Sequence, residues 1–136
     1  NIIKTAIAFS KRNIFILYLI FILSIIISAN MGWLSLVMTT SKQHWAYSDK
    51  LAHFLLVGGL AFLLHYRLVV RKGFQKSRIM KTTLLMMLIA TLEETSQRFL
   101  ANRSFNYLDM SANLLGILFF SVVIYFLFNK KTTINP

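Results

Sequence analysis

The 136-residue chain reads as an all-α polytopic membrane protein, four transmembrane helices packed into one small bundle. Two features of the composition carry this. Hydrophobic residues make up 57% of the chain against 14% charged, and the mean hydropathy of +0.63 exceeds what a water-soluble domain of this size carries. The third feature is a succession of apolar runs separated by short basic or polar stretches. The sequence contains no cysteine, which excludes disulfides, thiolate metal sites, iron–sulfur clusters and a cysteine nucleophile together. One proline and five glycines leave few helix breaks and no low-complexity region. The length is that of a single domain, with helices expected at about 13–32, 51–70, 80–98 and 108–128.

The first span rests on the uncharged run from Ile14 to Ala29, which with its flanks reaches the roughly 20 residues a hydrocarbon core requires. Lys4, Lys11 and Arg12 precede it as in a signal peptide, but the run is longer than the usual apolar region of one and reads as an uncleaved anchor. The second span, from Leu51 to about Val70, carries Gly58 and Gly59 in its middle, where a neighbouring helix can approach closely. The third has only the eleven residues from Thr82 to Leu92 free of charge. To cross, it must continue through Glu93, Glu94 and Gln97, which places two carboxylates at the edge of the slab. The fourth runs from about Leu108 to Phe128, with Asp109 and Asn113 in its first third.

Orientation follows from the basic residues. With the N-terminus inside, eleven of the fifteen Lys and Arg fall on the cytoplasmic side, six of them between Arg67 and Lys81, and only Lys42, Lys50, Arg98 and Arg103 fall outside. The positive-inside rule therefore selects cytoplasmic N- and C-termini. All four acids, Asp49, Glu93, Glu94 and Asp109, then lie at the outer end. The formal charge of +11 would suggest nucleic acid in a soluble protein. Here the basic stretch reads as topogenic, and without a phosphate cradle or a recognition fold no nucleic-acid partner is expected.

The acids recur in a pattern. Asp49 and His53 are four residues apart, Glu94 and Gln97 three, Asp109 and Asn113 four, so each pair occupies one helix face. Alternating chain direction brings all three pairs to the same membrane level, where Lys50, Arg98 and Arg103 supply cations. A polar cluster of Asp49, Lys50, His53, Glu94, Gln97, Arg103, Asp109 and Asn113 is thus expected from topology. It reads either as a water-accessible pocket for a polar or anionic ligand or as an ion-paired packing cap, for example with Arg103 on Asp109 or Glu94. Glu93 lies one position off the Glu94 face and is expected to point to headgroups. His53 and His65 are twelve residues apart on one helix, about 18 Å of rise, and cannot share a haem iron. A divalent cation on His53 with a carboxylate is chemically sensible, but no paired-histidine zinc motif accompanies it, and no metal or cofactor is assigned. His65 reads as an interfacial residue, and His44, Trp45 and Tyr47 as an aromatic belt.

The stretch Asp49-Lys50-Leu51-Ala52-His53-Phe54 resembles the D-K-x-x-H-F motif of the VanZ-like membrane proteins. Glu94-Thr95-Ser96-Gln97 is similar to that family's E-x-x-Q, and Arg103, Phe105, Asp109, Asn113 and Gly116 to its R-x-F...D-x-x-x-N-x-x-G ending. The resemblance covers Asp49 to about Gly116, half the chain. It departs at Asn106, where the family often has an acid, and at Phe119 and Phe120, where it often has a small residue. The resemblance implies a multi-pass protein of the bacterial inner membrane, in a family whose namesake is associated with teicoplanin resistance. It supplies no reaction. The functional expectation is a polar outer-leaflet pocket that binds or acts on a lipid-linked or cell-wall ligand, with Arg103 and Lys50 on an anionic headgroup and His53 orienting it. Whether chemistry follows is open: a histidine between carboxylates can act as a general base, yet Ser48, Ser96, Ser104 and Ser111 sit in no nucleophile motif. The alternative is an accessory structural subunit of a larger membrane complex, with membrane lipids as its other neighbours.

Overall fold

The computed structural model describes residues 2–32, 48–101 and 103–132. The described residues form helices α1 (Ile2–Asn30), α2 (Ser48–Lys72), α3 (Lys76–Ser96) and α4 (Tyr107–Thr132), with a 3-10 turn at Gln97–Phe99 between the last two and no strand. The expected aromatic belt at His44, Trp45 and Tyr47 lies outside the described residues. Among the described residues, three helices are long and apolar enough to cross a membrane: Asn13–Asn30, Ser48–Lys72 and Tyr107–Asn129, with mean hydropathies of 2.2, 1.7 and 2.2. The segment expected as the third span forms a helix, α3, whose 21 residues are long enough at about 1.5 Å each. It falls short in apolarity because Lys76, Arg78 and Lys81 open it and Glu93 and Glu94 close it.

Helix α4 is the centre of the bundle. Helices α2 and α3 both pack on it and touch each other little, while α1 packs on α2. Two glycines set the α2–α4 distance. A Cβ on Gly116 would fall on the Phe54 carbonyl oxygen of α2, and one on Gly58 would meet the Phe120 ring and, at 2.9 Å, the Gly116 carbonyl oxygen. The aromatic pair that departs from the family pattern does not loosen this crossing. Phe119 and Phe120 flank Phe54, with ring centroids 5.7 and 6.0 Å away, and fill the space beside Gly58. Gly59 instead admits α1: the Tyr18 hydroxyl reaches over it and donates to the Leu56 carbonyl at 2.9 Å.

The core forms layers along the bundle axis. Ala61, Met86, Ala90 and Ile117 make one apolar cluster, and Val69, Ile79 and Ile124 another. Between them lies a polar layer built on His65, Thr83 and Ser121, all buried. His65 is therefore not interfacial, as expected from its neighbours Tyr66 and Arg67, but fully enclosed. Its position four residues after Ala61 and four before Val69 puts it on the buried stripe. Its Nδ1–H donates to the Ala61 carbonyl at 2.7 Å, Nε2 lies 3.2 Å from the Thr83 hydroxyl, and Thr83 reaches Ser121 at 3.0 Å. The layer thus satisfies its own polar groups and ties all three helices together.

The basic stretch from Arg67 to Lys81 is mostly helix ends. Helix α2 runs to Lys72 and α3 starts at Lys76, so the connection is three residues long. Gly73, at φ +75°, ends α2 in the left-handed conformation that glycine adopts without cost. Arg78 donates to the Lys72 and Gly73 carbonyls at 3.1 and 2.9 Å, satisfying groups the helix end leaves open.

Because the obstacle at Gly116 is backbone and the nearest one at Gly58 is a movable ring, Gly116→Ala should destabilise the bundle more than Gly58→Ala. Overpacking of this kind costs about 1–3 kcal/mol. Thermal unfolding of both variants in detergent checks the order, and equal stabilities would remove the close crossing.

Candidate functional site

The polar residues anticipated at one level do gather at one end of the bundle, where α2 and α4 start and α3 ends. They form two connected halves. The first joins α2 to α4. The Lys50 ammonium contacts the carboxylates of both Asp49, at 3.1 Å to Oδ2, and Asp109, at Oδ1. His53 lies between the same two acids, with Nε2 3.8 Å from Asp49 Oδ1 and 4.0 Å from Asp109 Oδ2. Its Nδ1 is 3.1 Å from Asn113 Oδ1 on α4, and since an amide oxygen only accepts, the ring donates there. Four residues separate Asp49 from His53 and Asp109 from Asn113, so two facing helices each present two groups one turn apart.

The second half closes the α3–α4 connection. Gln97 is its hub: Oε1 accepts from Arg103 Nε and Nη2 at 3.1 and 3.0 Å. Its Nε2 donates to Glu93 at 3.1 and 3.2 Å, and to Glu94 Oε2 at 3.4 Å. Glu94 Oε1 accepts the Asn106 backbone N–H at 3.2 Å, while the Asn106 side chain accepts from the Leu108 N–H at 2.9 Å. Asn106 thus caps α4 at the position where the resembled family often carries an acid. Arg98 stays outside the network, stacked on the Phe105 ring at 4.1 Å.

A cavity of about 380 Å³ separates α1 from this cluster. Ile22, Ile25, Ile26 and Ala29 of α1 supply an apolar wall, and Asp49, His53, Glu93, Arg103 and Asn113 a polar one. Of the eight anticipated residues, Asp49, His53, Arg103 and Asn113 line the cavity, and Lys50 and Asp109 brace them from behind. Glu94 and Gln97, 0% and 2% exposed, are enclosed by the helix turn.

Two arrangements differ from expectation, and a third feature was not anticipated. Arg103 pairs with neither Asp109 nor Glu94; it bonds the Gln97 amide, because Lys50 already holds Asp109 and Asn106 holds Glu94. Glu93 does not point away to headgroups. It is half-buried, takes both hydrogen bonds from Gln97 four residues on, and faces the cavity. That i,i+4 spacing was the available signal. The α1 wall had no sequence signal, because α1 is apolar on every side.

Compared with protein families, with curated proteins and with solved structures, the chain finds no match in any of the three.

The two halves predict opposite mutational behaviour. Glu94→Ala orphans the Asn106 N–H and one bond of the Gln97 amide in an enclosed space, and each such loss costs roughly 1–3 kcal/mol. Asp49→Asn changes a side chain that is 55% exposed and should leave stability within about 0.5 kcal/mol. Unfolding midpoints of the two purified variants check this, and a destabilised Asp49→Asn beside an unaffected Glu94→Ala would contradict the division.

Proposed function

We propose that this chain is a four-span protein of the bacterial inner membrane, VanZ-like in kind, with both termini cytoplasmic and a cavity at the outer end that receives the headgroup of an anionic lipid-linked ligand. The observation that carries the reading is the state of Arg103. It lines the cavity, and no carboxylate among the described residues pairs with it; its bonds go to the neutral Gln97. A guanidinium held in place by an uncharged amide keeps donors and full charge for a phosphate or carboxylate. The division of the walls supports an amphiphile: the polar side suits a headgroup and the isoleucine side of α1 a hydrocarbon chain.

Membrane insertion of α3 as the fourth span is supported by its middle. Leu84, Leu85, Leu88, Ile89 and Leu92 are each more than half exposed, a surface that needs lipid or another protein to cover it. The segregation of basic residues supports the orientation. Teicoplanin resistance belongs to the namesake of the resembled family and is not part of the proposal. The second reading, an accessory subunit for which the polar end is a packing cap, draws on the enclosure of Glu94 and Gln97.

Native mass spectrometry in detergent separates the two. A polyprenyl phosphate should be retained at least tenfold better by the natural chain than by Arg103→Ala, the loss expected from one charge-assisted contact, while a zwitterionic phosphatidylcholine is retained equally by both. Equal retention of the phosphate lipid would remove the ligand reading and favour the subunit. Reporter fusions should place Lys76 inside and Trp45 outside; Lys76 outside would invert the placement of every acid.

A further inference from the structure

The oxygens of Asp49 and Asp109 are divided between two partners. Lys50 takes Asp49 Oδ2 and Asp109 Oδ1, and the remaining two, Asp49 Oδ1 and Asp109 Oδ2, converge on His53 Nε2. At 3.8 and 4.0 Å these two are too far for hydrogen bonds. Asp109 is 9% exposed, and no hydrogen-bond donor among the described residues reaches its Oδ2. Asp49, His53 and Asp109 each offer one donor atom within 4.8 Å of the other two. Asn113, 2% exposed, fixes the ring from behind: its amide oxygen takes the Nδ1 hydrogen at 3.1 Å, which turns Nε2 toward the two carboxylates. The ring nitrogen and the two carboxylate oxygens thus form a convergent set of three donor atoms that one cation placed between them would satisfy together.

We propose that Asp49, His53 and Asp109 bind a divalent transition-metal ion, zinc or manganese in kind, on the wall of the cavity. Imidazole with two carboxylates is a donor set for such ions. An orienting hydrogen bond on the far ring nitrogen is what histidine ligands ordinarily carry. Donors at about 2.0–2.2 Å around a tetrahedral zinc stand about 3.3–3.6 Å apart, so the two sides at His53 must contract by about 0.2–0.7 Å and the side between the carboxylates by at most about 1.5 Å, which rotation of the two aspartate side chains can supply. Three protein ligands leave a position open toward the cavity, the arrangement of sites that bind a further group rather than merely hold the fold. Lys50 is not displaced, because it holds the other two oxygens. The inference does not depend on the lipid-linked ligand, since metal binding is measured without one.

The test is zinc binding by the purified full chain in detergent, with any affinity tag removed, followed by calorimetry and by metal analysis after gel filtration. The natural chain should bind one zinc ion per chain. His53→Ala and Asp109→Asn should lose it, and Asn113→Ala should weaken it about 10- to 100-fold. Should His53→Ala or Asp109→Asn fail to fold, Asp49→Asn at the exposed corner of the triangle reads the same loss. Cobalt substitution gives an independent readout, a visible spectrum that changes in the same variants. Absence of zinc from the natural chain, or uptake that the triangle variants leave unchanged, would overturn the proposal.

Discussion

The Lys50 ammonium, set between Asp49 of its own helix and Asp109 of α4, is the contact on which the polar end depends. Two carboxylates brought together at the edge of an apolar bundle repel each other and lose solvation, at a cost that pairing must offset. One cation touching both turns that cost into a clasp between the starts of α2 and α4. About six to eight residues further along the same helices, Gly58 and Gly116 let the backbones approach. Clasp and close crossing act on the same pair, so α2 and α4 form the rigid part of the fold. Helix α3 joins it through α4, and α1 through Tyr18 on α2.

From that pair follows the split character of the cluster. Because Asp109 is held by Lys50, Arg103 has no acid to meet and rests on Gln97, and because Gln97 is anchored by Glu93 and Glu94, the α3–α4 turn closes without a second ion pair. The closed half stabilises the connection. The open half faces the gap left where α1 leans chiefly on α2. Polar groups line the side opposite α1 while the α1 wall is isoleucine and alanine, and this asymmetry makes an amphiphile a better occupant than a purely polar solute. Deeper in the bundle, the His65–Thr83–Ser121 layer shows the contrasting case of polar groups that satisfy one another.

The meeting of Asp49, His53, Asp109 and Asn113 was readable from spacing, because an i,i+4 pair fixes a shared face and alternating helices fix the end. The positions of the helices were readable from the apolar runs. Partner choice was not. Which acid Lys50 or Arg103 takes depends on distances of an ångström or two that no periodicity encodes, so Arg103 on Gln97 was missed. The inward position of Glu93 is encoded in its four-residue spacing to Gln97, and that of His65 in its place on the stripe of Ala61 and Val69; in both cases the spacing outranks the character of the adjacent residues. The face of α1 that closes the cavity could not be read at all, since a helix apolar all round carries no marker of its inward side.

Because the chain has no cysteine, single introduced thiols report cavity access without background. Val57 lines the cavity and Leu115 is an exposed residue of α4 that does not; both lie about 12–14 Å from the acid-end start of their helices. In membranes, a charged, membrane-impermeant maleimide should label Val57→Cys and leave Leu115→Cys untouched, since only a thiol facing water ionises and reacts. A Val57→Cys that labels no faster than Leu115→Cys would mean that water does not enter between α1 and the polar end, and the open half would not be a site.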